Sequence, residues 1–286
     1  MPIPISYSYR NLLARRLTTF LTAAGMALVV FVFAAVLMLS EGLRRTLVAT
    51  GSFDNVVVLR AGSESEVQSA IDRTQAGIIG AQPEIALGKE GRSLVADEAI
   101  VLINLPKRGS NLPANVIIRG VQPVSPELRR EVRLSAGRFL NPGSTEIVAG
   151  AQIARRFQGA GLGETLRFAM RQWRVVGVME AGNTGFASEL WGDVETLLAA
   201  FRRTAVSSVI LRLRDPAAFD ALKARLEGDP RLPVQVLREV EFYESQSRRL
   251  ATFIHLLGLV LTGIFSLGAI LGAMVTMYAQ VEARVS

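Results

Sequence analysis

Two residue types that commonly mark catalytic machinery, histidine and cysteine, are both missing from the long central stretch of this sequence, residues 41 to 249. Their absence removes Ser-His-Asp and Cys-His nucleophilic machinery and the commonest zinc ligands together. Asp97 and Glu98 are the most suggestive carboxylate pair. Neighbours on a strand point to opposite faces, however, so the two cannot easily share a substrate, and surface solvation explains them better. The run Gly159-Ala160-Gly161-Leu162-Gly163-Glu164 has glycines enough for a phosphate loop but lacks the Lys and Ser/Thr that a P-loop needs. It reads as a turn, so any nucleotide-driven work must come from another chain. Trp173 and Trp191 could face a ligand, although core packing accounts for them better. The single histidine, His255, lies in an apolar run without an Asp, Glu, Lys or Arg, which favours an interfacial or helix-contact role over a proton relay. No catalytic residue, metal ligand or cofactor-binding residue is therefore assigned.

The elements that frame this stretch are apolar. Of 286 residues, 50% are hydrophobic and 20% charged, and the excess is concentrated in two runs without a charge: 24 residues between Arg16 and Glu41, and 32 between Arg249 and Glu282. A helix needs roughly 20 residues to cross a bilayer core, so a purely soluble enzyme is excluded. The first run, Leu17 to Ser40, is too long for a signal-peptide core and is followed by no small-x-small cleavage pattern. The second would be about 48 Å long as a helix, more than the hydrocarbon core, so part of it protrudes. Gly268 and Gly272 in it form a small-xxx-small pair that would let another helix approach closely. Upstream, Ile5, Tyr9, Leu12 and Leu13 interleave with Arg10, Arg15 and Arg16 as in an amphipathic helix on a membrane surface.

Charge and cysteine content narrow the classes further. The formal net charge is +7, of which the leader carries +3 and residues 41 to 249 carry 28 basic and 24 acidic groups. Both signs are interspersed and no basic block occurs, which argues against nucleic acid. Zero cysteines exclude a disulfide scaffold and cysteine-ligated clusters. Arginines flank both runs, and a 209-residue loop is long enough to be translocated regardless of its charge, so both termini are expected in the cytoplasm and the middle outside it.

The middle alternates strands and helices. Asn55 to Leu59 reads as a strand, followed by a helix from about Glu64 to Ala76 that opens on a Ser63–Glu66 capping box. Ala99 to Leu105 is the next strand. Near the far end come strand Ser208 to Leu213, then Asp215 as N-cap with Pro216 at the first helical position, a helix to about Glu227, and strand Val234 to Leu237. Between them, Asn115 to Val121, Glu146 to Val148, Glu164 to Phe168 and Trp173 to Met179 read as strands, with turn signals at Asn141-Pro142-Gly143, Gly161 to Gly163 and Ala181-Gly182-Asn183. The expected fold class is a membrane protein with two transmembrane α-helices flanking an α+β extracytoplasmic domain split by a β-rich insertion. Its divisions are a leader 1–16, first span 17–40, a domain 41–249 (α+β parts 50–114 and 200–240, insertion 115–199), second span 250–278, and a cytoplasmic segment 279–286.

The opening Tyr9-Arg10-Asn11-Leu12-Leu13-Ala14-Arg15-Arg16-Leu17-Thr18-Thr19-Phe20-Leu21-Thr22-Ala23-Ala24-Gly25 resembles the RNLxRxxxRTxLTxxG entry into the first membrane helix of MacB/FtsX-type ABC transporter permeases, with Thr18 in place of the usual basic residue. Ile118-Arg119-Gly120-Val121, Ala136-Gly137-Arg138-Phe139, Glu146-Ile147-Val148-Ala149-Gly150 through Ala154-Arg155-Arg156-Phe157, and Trp173-Arg174-Val175-Val176-Gly177-Val178 are similar to that family's periplasmic core domain. Thr276-Met277-Tyr278-Ala279-Gln280-Val281-Glu282-Ala283-Arg284 resembles the exit from its second membrane helix, ahead of a coupling segment that meets the ATPase. Family members normally continue past that segment into two further membrane helices, and this sequence ends before the usual position of these.

The resemblance implies a permease subunit of the bacterial inner membrane that is not itself an enzyme. Its implied partners are an ABC ATP-binding subunit, a second permease copy or homologue, membrane lipids and a periplasmic adaptor, with no nucleic acid and no cofactor. ATP-driven motion of the helices would move the periplasmic domain, to export or extract a substrate or to activate a periplasmic partner. Tyr278, Glu282 and Arg284 are the ATPase-coupling candidates, and Gly268 and Gly272 the helix-packing candidates. The competing class is a two-helix membrane sensor with an extracytoplasmic ligand-binding domain.

Overall fold

The structure, a computed structural model, describes residues 16–48 and 50–285. The amphipathic leader expected before Arg16 lies outside the described residues. Two compact units emerge, Met1–Arg44 with Arg248–Ser286, and Arg45–Ser247.

The first unit is built on two helices: α1, Arg16–Val48, and a 47-residue helix running Glu239–Val285. Within them Ala23–Gly42 and Thr252–Gly272 are long and apolar enough to cross a membrane. Their large apolar side chains, among them Phe31, Met38, Leu259 and Ile264, are exposed in the isolated chain, as a lipid-facing surface requires. The two helices meet at Gly258, where an added Cβ would lie 2.7 Å from the Val36 side chain. At Gly268 and Gly272 an added Cβ would meet nothing within 4 Å. The glycine pair is thus not what the first helix packs on in this chain.

A sharp test of this pairing uses the absence of native cysteine. A Cβ at Gly258 would lie 3.4 Å from the Val36 Cβ, close to the spacing that disulfides prefer. Val36→Cys combined with Gly258→Cys is expected to crosslink nearly completely under mild oxidation, visible as a mobility shift on non-reducing gels. A crosslinking yield no higher than that of Val36→Cys with Gly268→Cys would refute the pairing.

The second unit is one ten-stranded mixed sheet in the order β10-β1-β9-β2-β3-β8-β5-β7-β4, with β6 also on β7. One half comprises β1 (Asn55–Arg60), β9 (Ser208–Arg212) and β10 (Val234–Arg238), paired antiparallel. β2 (Val95–Pro106) joins the halves, its first four residues pairing with β9 and the rest with β3 (Pro113–Val121). The other half adds β4 (Arg133–Gly137), β5 (Glu146–Gly150), β6 (Thr165–Phe168), β7 (Arg171–Glu180) and β8 (Glu189–Asp193), with parallel pairs β3–β8 and β5–β7. The helices of this unit are α2 (Arg73–Gly80), α3 (Ser125–Leu128), α4 (Ala151–Arg156), α5 (Val194–Ala200) and α6 (Phe219–Glu227), and the long helix from Glu239 is α7.

β1 shows why its sequence does not alternate. Val56 and Val58 enter a core beneath α2 and α6, whereas Val57 and Leu59 enter a second core on the opposite face with Trp191, Phe186 and Phe242. A strand covered on both faces reads as a continuous apolar run. The helix expected from Glu64 is displaced: α2 begins at Arg73, capped by Asp72, whose Oδ1 accepts from Gln75 N at 2.8 Å while Gln75 Oε1 accepts from Asp72 N at 3.2 Å. Ser63–Glu66 has the same Ser/Asp-x-x-Glu/Gln form, but Glu66 is drawn into the domain interior by an arginine described below. At the other end Asp215 accepts from Ala217 N, opening a 3-10 turn that leads into α6.

The β10 edge is closed by side chains. Val236 N–H donates to Glu227 Oε1 at 2.8 Å, Lys223 Nζ donates to Val236 O at 2.7 Å, and the two side chains pair with each other at 3.0 Å. An unpaired edge invites another strand. Removing both plugs with Lys223→Ala and Glu227→Ala is expected to cost about 1–2 kcal/mol, two ordinary hydrogen bonds, and to raise self-association in light scattering. A double variant as stable and as dispersed as the parent would show that the plug does nothing.

Candidate functional site: a buried ion cluster at the helix roots

β3 carries an arginine in its apolar centre, Val116-Ile117-Ile118-Arg119-Gly120-Val121, and an isolated guanidinium there would be prohibitively costly. Sheet pairing supplies the compensation. Arg119 lies beside Trp191 of β8 and Ile100 of β2, which brings Glu189 and Glu98 alongside. All five N–H donors of its guanidinium are used. Nε and Nη2 hold Glu189 at 2.7 and 2.9 Å, Nη1 and Nη2 hold Glu66 at 2.9 and 3.1 Å, and Nη1 also reaches Glu98 at 2.6 Å.

Glu98 is shared with a second buried arginine, Arg129, which follows α3 and donates to it at 2.7 Å. The other arm of Arg129 reaches Glu239 Oε1 at 2.5 Å. Glu239 is the first residue of α7. Its second oxygen accepts from Asn55 Nδ2 at 2.9 Å and from Ser52 N at 3.0 Å. Arg212 completes this end, donating to Asn55 Oδ1 and to the Leu128 carbonyl. Ser208 Oγ and Trp191 Nε1 donate to Glu66 and Glu189. The Phe186 ring lies under both guanidinium groups, 4.3 Å from Arg129 and 5.5 Å from Arg119, a cation–π arrangement strengthened by burial.

Four formal negative charges thus meet two formal positive ones, with Arg212 as a third cation at the border. Burial alone would raise the Glu66 carboxyl, but the charge and hydrogen bonds of Arg119, together with the charge of Arg129 and the Ser208 hydroxyl, outweigh it and hold Glu66 below its ordinary value. Burial disfavours the charged form of Arg119 too, and Glu189, Glu66 and Glu98 more than offset it, raising its pKa well above normal. Tyr243 on α7 packs into the same core, where burial, reinforced by Glu66, keeps its phenol neutral. With all five Arg119 donors engaged and Arg129 bridging Glu98 and Glu239, this arrangement suits fastening.

What it fastens is the first turn of α7 and, beside it, the chain leaving α1. Gly51 passes so close to α7 that an added Cβ would lie 2.7 Å from Val240 Cα and 2.8 Å from the Glu239 carbonyl. Thr50 Oγ1 donates to Thr46 O and accepts from Gly185 N, both at 2.8 Å. Gly185 precedes Phe186, the ring under the arginines.

The residues singled out in the sequence fall elsewhere. Tyr278 is exposed on α7, Glu282 and Arg284 lie on its last stretch with side chains outside the described residues, and Gly268 and Gly272 belong to its apolar window. The side chain of His255 also lies outside the described residues. Trp173 and Trp191 are both fully buried, Trp173 stacked on Phe168 at 5.0 Å, so both are core residues. Glu98 is a correction: it is not a solvated surface acid but is wholly buried between two arginines, while adjacent Asp97 points the other way and is half-buried. The ion cluster was signalled only by Arg119 in its apolar strand, because its partners are 21 to 70 residues away in sequence.

Comparison with known proteins bears on this architecture. A family model described as "MacB-like periplasmic core domain" matches residues 19–229. The chain is also similar to the solved extracellular domain of the noncanonic ABC-type transporter YknZ from Gram-positive bacteria, at 13% identity and TM-score 0.48, covering 64% of this chain and 99% of that one. The periplasmic region of MacB from Actinobacillus actinomycetemcomitans is similar at 16% identity and TM-score 0.48, covering 69% and 94%. No match was found among curated proteins. With the family model extending from the first apolar helix across β1 to β9 and α6, this chain belongs to the MacB-like periplasmic core domain family of ABC transporter permeases.

Proposed function

We propose that the chain is the permease subunit of an ABC transporter complex, transmitting motion driven by a cytoplasmic ATP-binding subunit to its extracytoplasmic domain. The domain's movement then exports or extracts a substrate, or activates a periplasmic partner. Both termini are cytoplasmic in this reading, two permease copies or homologues pair, and ATP is hydrolysed on the separate subunit.

The observation that carries the proposal is the fastening of α7. A helix of 47 residues is held at its first residue by Arg129, Asn55 and Ser52. A tilt or twist of that residue pulls through Arg129 and Glu98 on Arg119, and so on the strands at the middle of the sheet. A buried charge that leaves its partner strands both partners at several kcal/mol, so moving the junction as one piece costs less than opening it. That is the property a transmitter needs, and an isolated binding domain has no use for it.

The other end of α7 is assigned to the ATPase. Tyr278, Glu282 and Arg284 form the coupling surface, and Gly268 with Gly272 form the face offered to a second copy. Glu282→Arg combined with Arg284→Glu is expected to lower recovery of the co-expressed ATP-binding subunit at least tenfold in co-purification. Crosslinking between positions 36 and 258 serves as the control for intact membrane helices. Unchanged recovery of the ATPase would sink the coupling assignment.

A further inference from the structure

A cleft of about 290 Å³ opens on the domain surface between β8 and two proline-containing turns. Pro123 and Pro126 line one wall, Phe139, Leu140 and Pro142 another, and Trp191 and Asp193 of β8 the base. These two residues are two apart on a strand and so point to the same face. Proline fixes its own φ, so the walls are preformed and little order is lost when a ligand enters. At about 30 Å³ per water the cleft has room for about ten waters, or a ligand with about that many non-hydrogen atoms.

Its charge is one-sided. Among the lining residues Asp193 alone is charged, and no Lys, Arg or His is present. The Asp193 side chain is held in place by Thr196, whose N and Oγ1 both donate to Oδ2 at 2.9 and 2.6 Å. Its other oxygen accepts no hydrogen bond from any described residue. Gln122, on the opposite wall, is oriented by accepting from Asp97 N. An anchored, half-coordinated carboxylate in a mainly apolar wall selects a cation and rejects an anion.

We propose that this cleft binds a small organic cation, an ammonium group on a compact apolar or aromatic body. The ammonium pairs with Asp193, and the body lies against Phe139, Leu140 and the prolines. The site does not depend on the transport reading.

The chain has two tryptophans, so Trp173→Phe leaves Trp191 at the base of the cleft as the sole reporter. The probes are 3-phenylpropylamine, 3-phenylpropan-1-ol and 3-phenylpropanoate, titrated into the full chain in lipid nanodiscs and corrected against empty discs. The amine is expected to change Trp191 emission saturably, the alcohol to bind at least tenfold more weakly, and the acid not to bind. Asp193→Asn keeps a good helix cap while removing the charge, and is expected to bring amine and alcohol within twofold of each other. Should that variant fail to fold, Gln122→Glu, which adds a second carboxylate to the cleft, is expected to tighten the amine severalfold. A non-saturable response, equal binding of amine and acid, an amine preference that survives Asp193→Asn, or an affinity unmoved by Gln122→Glu would each overturn the proposal.

Discussion

Replacing Arg119 by methionine is expected to destabilise the extracytoplasmic domain by about 3–5 kcal/mol, the cost of breaking a buried ion pair from one side. The volume is nearly kept, but Glu66, Glu189 and Glu98 lose the hydrogen bonds that Arg119 donates to them, in a site where all three are buried. Typical domains are stable by only 5–15 kcal/mol, so much of the margin goes. Urea unfolding of the full chain, followed by near-ultraviolet circular dichroism of the buried tryptophans, is the measurement. Arg119→Lys is expected to fall between the two, because an ammonium offers three donors without the planar fork. A methionine variant within 1 kcal/mol of the parent would mean that the cluster holds nothing together.

The same variant has a pH signature with a definite sign. In the parent the Glu66 pKa is lowered from 4.5. Its contribution is therefore fully present above the unfolded value and is lost as pH falls through the folded one. Without Arg119, burial is the dominant remaining influence on Glu66 and raises its pKa, so protonation relieves the variant while it weakens the parent. The stability gap is expected to narrow as pH falls through the raised Glu66 value of the variant and then the lowered value of the parent. A gap that widens in acid would contradict the assignment of Arg119 as the partner of Glu66.

Gly51→Val is the second large effect. The new Cβ would meet Val240 Cα at 2.7 Å and the Glu239 carbonyl carbon and oxygen at 2.8 Å. These are backbone atoms at the start of a helix, which cannot swing aside as a side-chain tip can. Overpacking of this kind costs typically 1–3 kcal/mol, or about 2–12 °C in Tm at the 2–4 °C per kcal/mol of a domain of this size. The clash also pushes Glu239 away from Ser52 N, its nearest hydrogen-bond donor in sequence to Gly51. Gly77→Ala is the control with the opposite sign. It lies inside α2 with nothing within 4 Å of an added Cβ, so alanine is expected to stabilise by about 0.5–1 kcal/mol. If Gly51→Val raised Tm as Gly77→Ala does, the close approach of the two helix roots would be refuted.

Particular residues show which parts of this fold were legible. The two apolar runs were unmistakable, because a lipid-facing helix must be apolar over its whole circumference and its signal is local. β1, β2 and β3 were legible for a similar reason, because their apolar runs are long, and β7 was legible from its Val175-Val176-Gly177-Val178 run and the glycine turn that follows it. β8 was not, because Glu189-Leu190-Trp191-Gly192-Asp193 mixes charge with bulk, and its acids become acceptable only beside Arg119 and Thr196. The β6–β7 turn was equally opaque, since Ala169 and Met170 both have positive φ in place of the Asn-Gly that such a turn favours. The start of α2 was misplaced because two capping patterns nine residues apart look alike, and only the pull of Arg119 on Glu66 decides between them.

By itself the sequence determined the membrane helices, the alternation of strand and helix between them and the lack of histidine and cysteine in residues 41 to 249, all properties of residue type and short-range spacing. Only the tertiary structure decided that Glu66, Glu98, Glu189 and Glu239 converge on Arg119 and Arg129, that Gly51 lies against α7, and that Asp193 lines a cleft. A buried charge is too costly to exist until its partners are in place. Those partners come from strands, loops and a helix start up to 187 residues apart, so the cluster exists only once the sheet has formed.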